Sequence, residues 1–292
     1  MYLTHRSWNV FLYQLHRSIA APRVILLFVI LGIYICSTVQ PASDFSSYVK
    51  IAASPWVFPH LTNDFICQLV VMAGVIFLFC DAPFEGESHM YILFRSGRLA
   101  WSSGHVLYII TMSLIYVVFI VAISMVPLLP NIQWSWNWGK IWGTLARTNA
   151  GAQFGMQFRV NDYLIGAFTP RKAMLLSFLL EWACTCWLGL LIYFVNAITG
   201  KMTGTFLAAG FVLLDIMIAN EWTRRAYAFS PITLAQLYSF SGANQDYGIT
   251  LKYASFFFAI TIIILALLCS TNEYIKELWT GALHRHPIQK LD

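Results

Sequence analysis

Two carboxyl groups stand inside long apolar runs of this 292-residue chain, Glu181 and Asp215. An ionised carboxylate at the centre of a bilayer costs about 3 kcal/mol on insertion scales, so such a residue faces protein or a water-filled path. Two kinds of role are open to each acid. One is a proton relay or a polar spot on a translocation path. The other is a hydrogen bond between helices, or a position nearer the interface than the run implies. No Lys or Arg lies inside the same runs to pair with either.

Covalent chemistry lacks its usual parts. There is no Gly-x-Ser-x-Gly and no His-Glu-x-x-His. His105 stands alone near the start of an apolar run, and Glu221-Trp-Thr-Arg224 is only half of an acidic protease motif. Gly139-Lys140-Ile141 and Gly200-Lys201-Met202 lack the leading Gly and the following Ser or Thr of a P-loop, so ATP hydrolysis is not expected of this chain. Cys184-Thr-Cys186 places two thiols on different faces of a helix, without a His or a second Cys pair, which reads as packing and not as a metal site. The other four cysteines also lie in or at the end of apolar runs, so no disulfide framework, cofactor or metal is expected.

The elements that position these residues are membrane helices. The chain is 59% hydrophobic and 11% charged, against about 25% charged in soluble domains. Six apolar stretches recur, at about 24–38, 65–80, 106–129, 173–198, 203–220 and 253–269. Spanning a ~30 Å hydrocarbon core takes about 20 helical residues, so the first two must borrow flanking residues. Backbone groups in hydrocarbon must bond internally, which makes the segments helices. The expectation is an all-α polytopic membrane protein forming one transmembrane domain over 1–292. The net charge of +5 comes with no basic stripe interleaved with aromatics, so nucleic acid is not an expected partner.

Residues 5–21 read as an amphipathic surface helix. Trp8, Phe11, Leu12, Leu15 and Ile19 form its apolar stripe, and Arg6, Asn9, Gln14 and Arg17 lie away from it. Pro22 ends it. Residues 43–63 read as a loop. Between the second and third spans, Pro83 starts a short helix over 84–96, with Glu85 and Glu87 in its first turn, Arg95 near its end and Gly97 as its stop. Trp134, Trp136 and Trp138 alternate as in an extended segment along an interface. Ser230-Pro231 opens a helix too short to span.

Six spans put both termini on one side. With the termini inside, nine Lys and Arg face the cytoplasm and nine the exterior, so the overall count does not orient the chain. The first span has Arg6, Arg17 and Arg23 before it and only Lys50 in the loop after it, which favours cytoplasmic termini.

The surface helix ending Arg17-Ser-Ile-Ala-Ala-Pro22-Arg23, and the segment Asp81-Ala-Pro-Phe84 followed by Arg95-Ser-Gly-Arg98-Leu-Ala-Trp101-Ser-Ser-Gly104, resemble the permease subunits of type-2 ABC transporters. In topology the likeness covers nearly the whole chain; in sequence it is mainly Phe79–Tyr108. The resemblance implies a bacterial plasma-membrane exporter subunit that pairs with an identical or homologous permease. Separate ABC ATPase subunits would carry the ATP and Mg. It makes 84–96 the cytoplasmic coupling helix, with Glu85, Glu87, Arg95 and Arg98 facing the ATPase. The long Trp-rich segment at 130–170 departs from the short loop expected there. The rival readings are an intramembrane enzyme and a sensory or scaffold membrane protein.

Overall fold

Proline and an acid set where several of the long helices begin. In the computed structural model, which describes residues 2–83, 95–222, 224–240 and 249–284, the regular secondary structure of those residues is helical apart from one isolated parallel bridge, Ala53 to Ile132. The helices are α1 (Tyr2–Ile19), α2 (Pro22–Val49), α3 (Phe58–Thr62), α4 (Phe65–Phe79), α5 (Arg98–Met125), α6 (Gly139–Arg147), α7 (Ala150–Gln153), α8 (Asp162–Ala167), α9 (Pro170–Thr199), α10 (Thr203–Ala219), α11 (Pro231–Ala235) and α12 (Leu251–His284). Pro22, Pro170 and Pro231 occupy the first helical position, where a missing N–H costs nothing. Asp64 caps α4 by accepting from the backbone N–H of Ile66 and Cys67, each at 3.1 Å.

Helices α2, α5, α9 and α12 are long and apolar enough to cross a membrane. Helices α4 and α10 are apolar but only 15 and 17 residues long, about 22 and 25 Å against a ~30 Å core. The chain is thus a multi-pass, membrane-embedded helical protein. Four of the six expected spans have crossing length, and two are shorter helices at the expected positions.

Three helices outrun their apolar stretches, α12 by running on to His284. Helix α2 continues through Pro41 to Val49, so 43–49 is not loop. Val39, Ala42, Ser43, Phe45 and Ser46 are buried there, and the helix stops at Lys50, whose φ of 56° is left-handed. Helix α5 begins at Arg98, well before Val106, because α1 covers its first turns and buries Ala100, Trp101 and Ser102. Tertiary contact supplies what hydropathy does not.

The packing face of α1 keeps Phe11, Leu12 and Leu15 of the expected stripe but is rotated away from its ends. Ser7, Val10, Phe11, Gln14 and Ser18 are buried, whereas Trp8 and Ile19 are exposed. Ser7 and Ser103 hydroxyls lie 2.7 Å apart, and the Tyr108 hydroxyl donates to Ser18 at 2.7 Å. Val10 and Phe11 together with small and polar side chains therefore seat α1 on α5, and Trp8 and Ile19 stay exposed. Gln14 belongs to the buried face and not to a solvated one. Contact is closest at Gly104, where an added Cβ would sit 2.7 Å from Val10 Cβ and 2.9 Å from the Ser7 carbonyl. Gly104→Ala is expected to lift α1 and cost about 1–3 kcal/mol, read as a lower thermal unfolding midpoint in detergent. Gly143→Ala, with nothing within 4 Å of the new methyl, should leave the midpoint unchanged or raise it.

Helix α9 is the central element: 61% of its most apolar window is buried, against 17% for α12. Helix α12 packs on α9 and α5 and turns Phe256, Ile260, Ile263 and Leu267 outward. The start of α2, the end of α4, the start of α5 and the α9–α10 turn meet at one end of the bundle, the α1 end. The α2–α4 connection and residues 126–168 meet at the opposite end, the tryptophan end.

Candidate functional site

After α4 the chain runs through Cys80–Pro83 before entering 84–94, and four helices hold it at that point. Asn196, in the last turn of α9, donates through Nδ2 to the carbonyls of Ala82 at 2.9 Å and Cys80 at 3.3 Å. Its Oδ1 accepts from the Gly204 N–H at 2.8 Å, in the first turn of α10. Gly204 is needed there, since a Cβ would lie 2.6 Å from the Ile192 carbonyl. Thr205 adds a bond to the Cys80 carbonyl at 3.2 Å.

From α5, the buried His105 ring sits between Trp101 and Tyr193, with centroids at 4.5 and 5.3 Å. Its Nε2 is 3.1 Å from the Pro83 carbonyl and its Nδ1 is 3.0 Å from the Trp101 carbonyl. From α2, Arg23 forms an ion pair with Asp81 and reaches Cys80 Sγ at 3.2 Å. A cavity of about 310 Å³ opens beside this grip, with Arg17, Asp81, Asn196 and Lys201 in its wall.

Glu85, Glu87 and most of the expected 84–96 helix lie outside the described residues. Arg95 and Ser96 are helical, and Gly97 breaks the chain with a φ of 85°, a conformation glycine adopts freely. Arg98 then opens α5; both arginines are exposed. His105 does not stand alone, as the sequence implied. It is one of the residues that hold the start of this connection.

The two intramembrane acids are both buried and both reach a polar side chain on another element. Glu181, in the middle of α9, accepts from Gln68 Nε2 of α4 at 3.1 Å. Asp215, near the end of α10, accepts from the Thr233 hydroxyl of α11 at 2.5 Å. Among the described residues, no three His, Cys, Asp or Glu side chains gather as a metal site would require. Cys184 contacts Met72 Sδ at 3.8 Å, and all six cysteines are unbridged.

The tryptophan end is a folded cap. Trp134, Trp136 and Trp138 lie in the non-helical stretch before α6, and residues 130–170 also contain α6, α7 and α8. Trp138 and Trp142 are buried, while Trp134 and Trp136 are exposed. Trp142 Nε1 donates to the Ser54 carbonyl, Trp138 Nε1 to the Phe168 carbonyl and Trp56 Nε1 to the Ser135 carbonyl. This ties the α2–α4 connection to the segment after α5. The Arg171 guanidinium covers the Trp136 ring at 3.5 Å.

At the centre of the cap, His60 is fully buried between Trp138 and Trp142, and neither ring nitrogen has a partner among the described residues. Burial pushes its pKa down to about 3. The folded state therefore holds it neutral, and the unfolded chain binds the extra proton below about 6.5. The stability it supports is full above that value and falls as pH drops towards 3. Moving from pH 7 to pH 5 should cost about 2 kcal/mol through this residue alone, read by thermal unfolding in detergent. His60→Leu should flatten that dependence.

No protein-family model matches the chain, and no curated protein or solved structure is significantly similar to it. Asn196 and Gln68 carry a sequence signal, since each is an amide inside an apolar run and so needs a partner there. His60 carried no sequence signal, because its burial depends on Trp residues about 80 positions away.

Proposed function

We propose that this chain is the membrane subunit of an ATP-driven exporter. Two such subunits, identical or homologous, would enclose the path, and separate ABC ATPases would supply the energy. The observation that carries the reading is the grip on residues 80–83. The chain leaving α4 is bonded to α2, α5, α9 and α10 within a few residues. A push delivered to the connection therefore reaches four helices at that end of the bundle instead of bending a loose loop. Rigid transmission of this kind is what coupling between separate subunits requires.

In this reading the α1 end is cytoplasmic, as are both termini, in a bacterial plasma membrane. The apolar outer face of α12 is available to lipid or to the second permease. Glu85, Glu87, Arg95 and Arg98 contact the ATPase, and this chain performs no covalent step.

The test is co-reconstitution with a Walker A ATPase subunit encoded beside this chain. The chain is expected to form a complex with it and to stimulate ATP hydrolysis. Glu87→Ala combined with Arg95→Ala should abolish most of the stimulation. Wild-type assembly and hydrolysis in that variant would remove the coupling assignment. Labelling of Thr148→Cys in a cysteine-free background by an impermeant reagent reports the orientation: labelling in intact cells is expected, and labelling only after lysis would invert it.

A further inference from the structure

The pair Glu181–Gln68 has one hydrogen bond too few for the groups it contains. Gln68 Nε2 donates to Glu181 Oε2 at 3.1 Å. The remaining oxygens, Glu181 Oε1 and Gln68 Oε1, are both buried and neither has a partner among the described residues. With the carboxyl ionised, both can only accept, and nothing here donates to them. The pair also lacks a compensating cation: Glu181 has no Lys or Arg partner among the described residues.

We propose that Glu181 carries a proton in this conformation and forms a neutral acid–amide couple with Gln68, making the couple a proton-binding site between α4 and α9. A proton on Glu181 Oε1 converts that acceptor into a donor, and Gln68 Oε1 is the acceptor it needs. A carboxylic acid and a primary amide present matching donor–acceptor edges, so one proton satisfies both oxygens. No net charge is then left in the apolar core.

The surroundings favour the neutral form. Titratable groups on elements packed against α9 include Cys67 of α4, Arg98, His105, Tyr108 and Tyr116 of α5, His60 of α3, Asp215 of α10 and Lys252, Tyr253 and Cys269 of α12, with Cys184, Cys186 and Tyr193 on α9 itself. Tyr116 spends its hydroxyl proton on the Val71 carbonyl at 2.8 Å, and Cys184 turns to Met72. Cys269 donates to the Leu190 carbonyl. Asp215 is occupied by Thr233, and His60 sits in its Trp box. None donates to Glu181.

Helices α4 and α9 are the two whose ends meet at Asn196 and Ala82. Release of the proton would place an uncompensated charge between them and favour their separation or the entry of water.

The experiment is infrared spectroscopy of the full chain in lipid nanodiscs, with carboxyl-¹³C glutamate. The chain has six glutamates, and Glu181 is the one inside an apolar run, so the isotope also separates it from Asp215. A ¹³C-shifted protonated-carboxyl band is expected at neutral pH, giving way to carboxylate bands only at alkaline pH. It should vanish in Glu181→Gln, whose amide–amide pair keeps the helices joined. In Gln68→Met the band should move to higher frequency as the acid loses its partner. Carboxylate bands alone in the wild type at neutral pH would overturn the proposal without any variant having to fold. A band unmoved in Gln68→Met would overturn the couple.

Discussion

Asn196→Leu is expected to destabilise the bundle by about 3–5 kcal/mol and to disconnect the α4–α5 connection from α9. The residue is buried and makes three bonds of good length to the backbones of two other segments. A hydrogen bond contributes about 1 kcal/mol net, but a buried group left without a partner costs about 1–3 kcal/mol. Removing the amide strands two such groups, the Ala82 carbonyl and the Gly204 N–H. The Cys80 carbonyl keeps Thr205. Thr205→Val should therefore cost only about 1 kcal/mol, because Asn196 still serves the same carbonyl. Thermal unfolding in detergent gives the order of the two variants, and equal losses would show that Asn196 is not the hub. If the chain is coupled to an ATPase, Asn196→Leu should also lose stimulated hydrolysis in whatever fraction remains assembled.

Trp142→Ala should unfold the cap at the tryptophan end, with a loss of about 3–5 kcal/mol. Its side chain is fully buried against His60, and its Nε1 bonds the Ser54 carbonyl at 3.0 Å. Truncation removes a large apolar volume and the donor for a buried carbonyl together. The loss should concentrate in the cap: protease should cut within 139–168 while the spanning helices stay protected. Trp136→Ala is the contrast. That ring is exposed and its contact is the Arg171 guanidinium, a cation–π pair of about 0.5–1 kcal/mol at an exposed site. A similar loss in both variants would contradict the division between buried and exposed indoles.

Hydropathy located α4, α9 and α10 to within a few residues, because in hydrocarbon a helix is the way an isolated apolar segment satisfies its own backbone. It failed at the far end of α2 and the near end of α5. There the helix is held by burial of Phe45 and Trp101 against neighbours distant in sequence, and local composition carries no trace of that. The amphipathic pattern of α1 was legible, but not the whole of the face that packs. Its small and polar residues fit Gly104 of α5, and complementarity is a property of two surfaces.

The acids at 181 and 215 were visible in the sequence, since any carboxyl in an apolar run must be accounted for energetically. Their partners were not. Gln68 is 113 positions from Glu181 and Thr233 is on a separate short helix. The same holds for the grip on residues 80–83. Asn196, His105, Arg23 and Thr205 come from four helices, and each looks unremarkable in its own stretch. Sequence alone determined that this protein lives in a membrane, that it is helical, and that its polar residues in apolar runs need explanation. These follow from transfer free energies, which depend on composition and length. Only the tertiary structure decided which polar groups meet, because hydrogen bonds form between particular atoms brought within about 3 Å, and that placement is a property of the packed bundle as a whole.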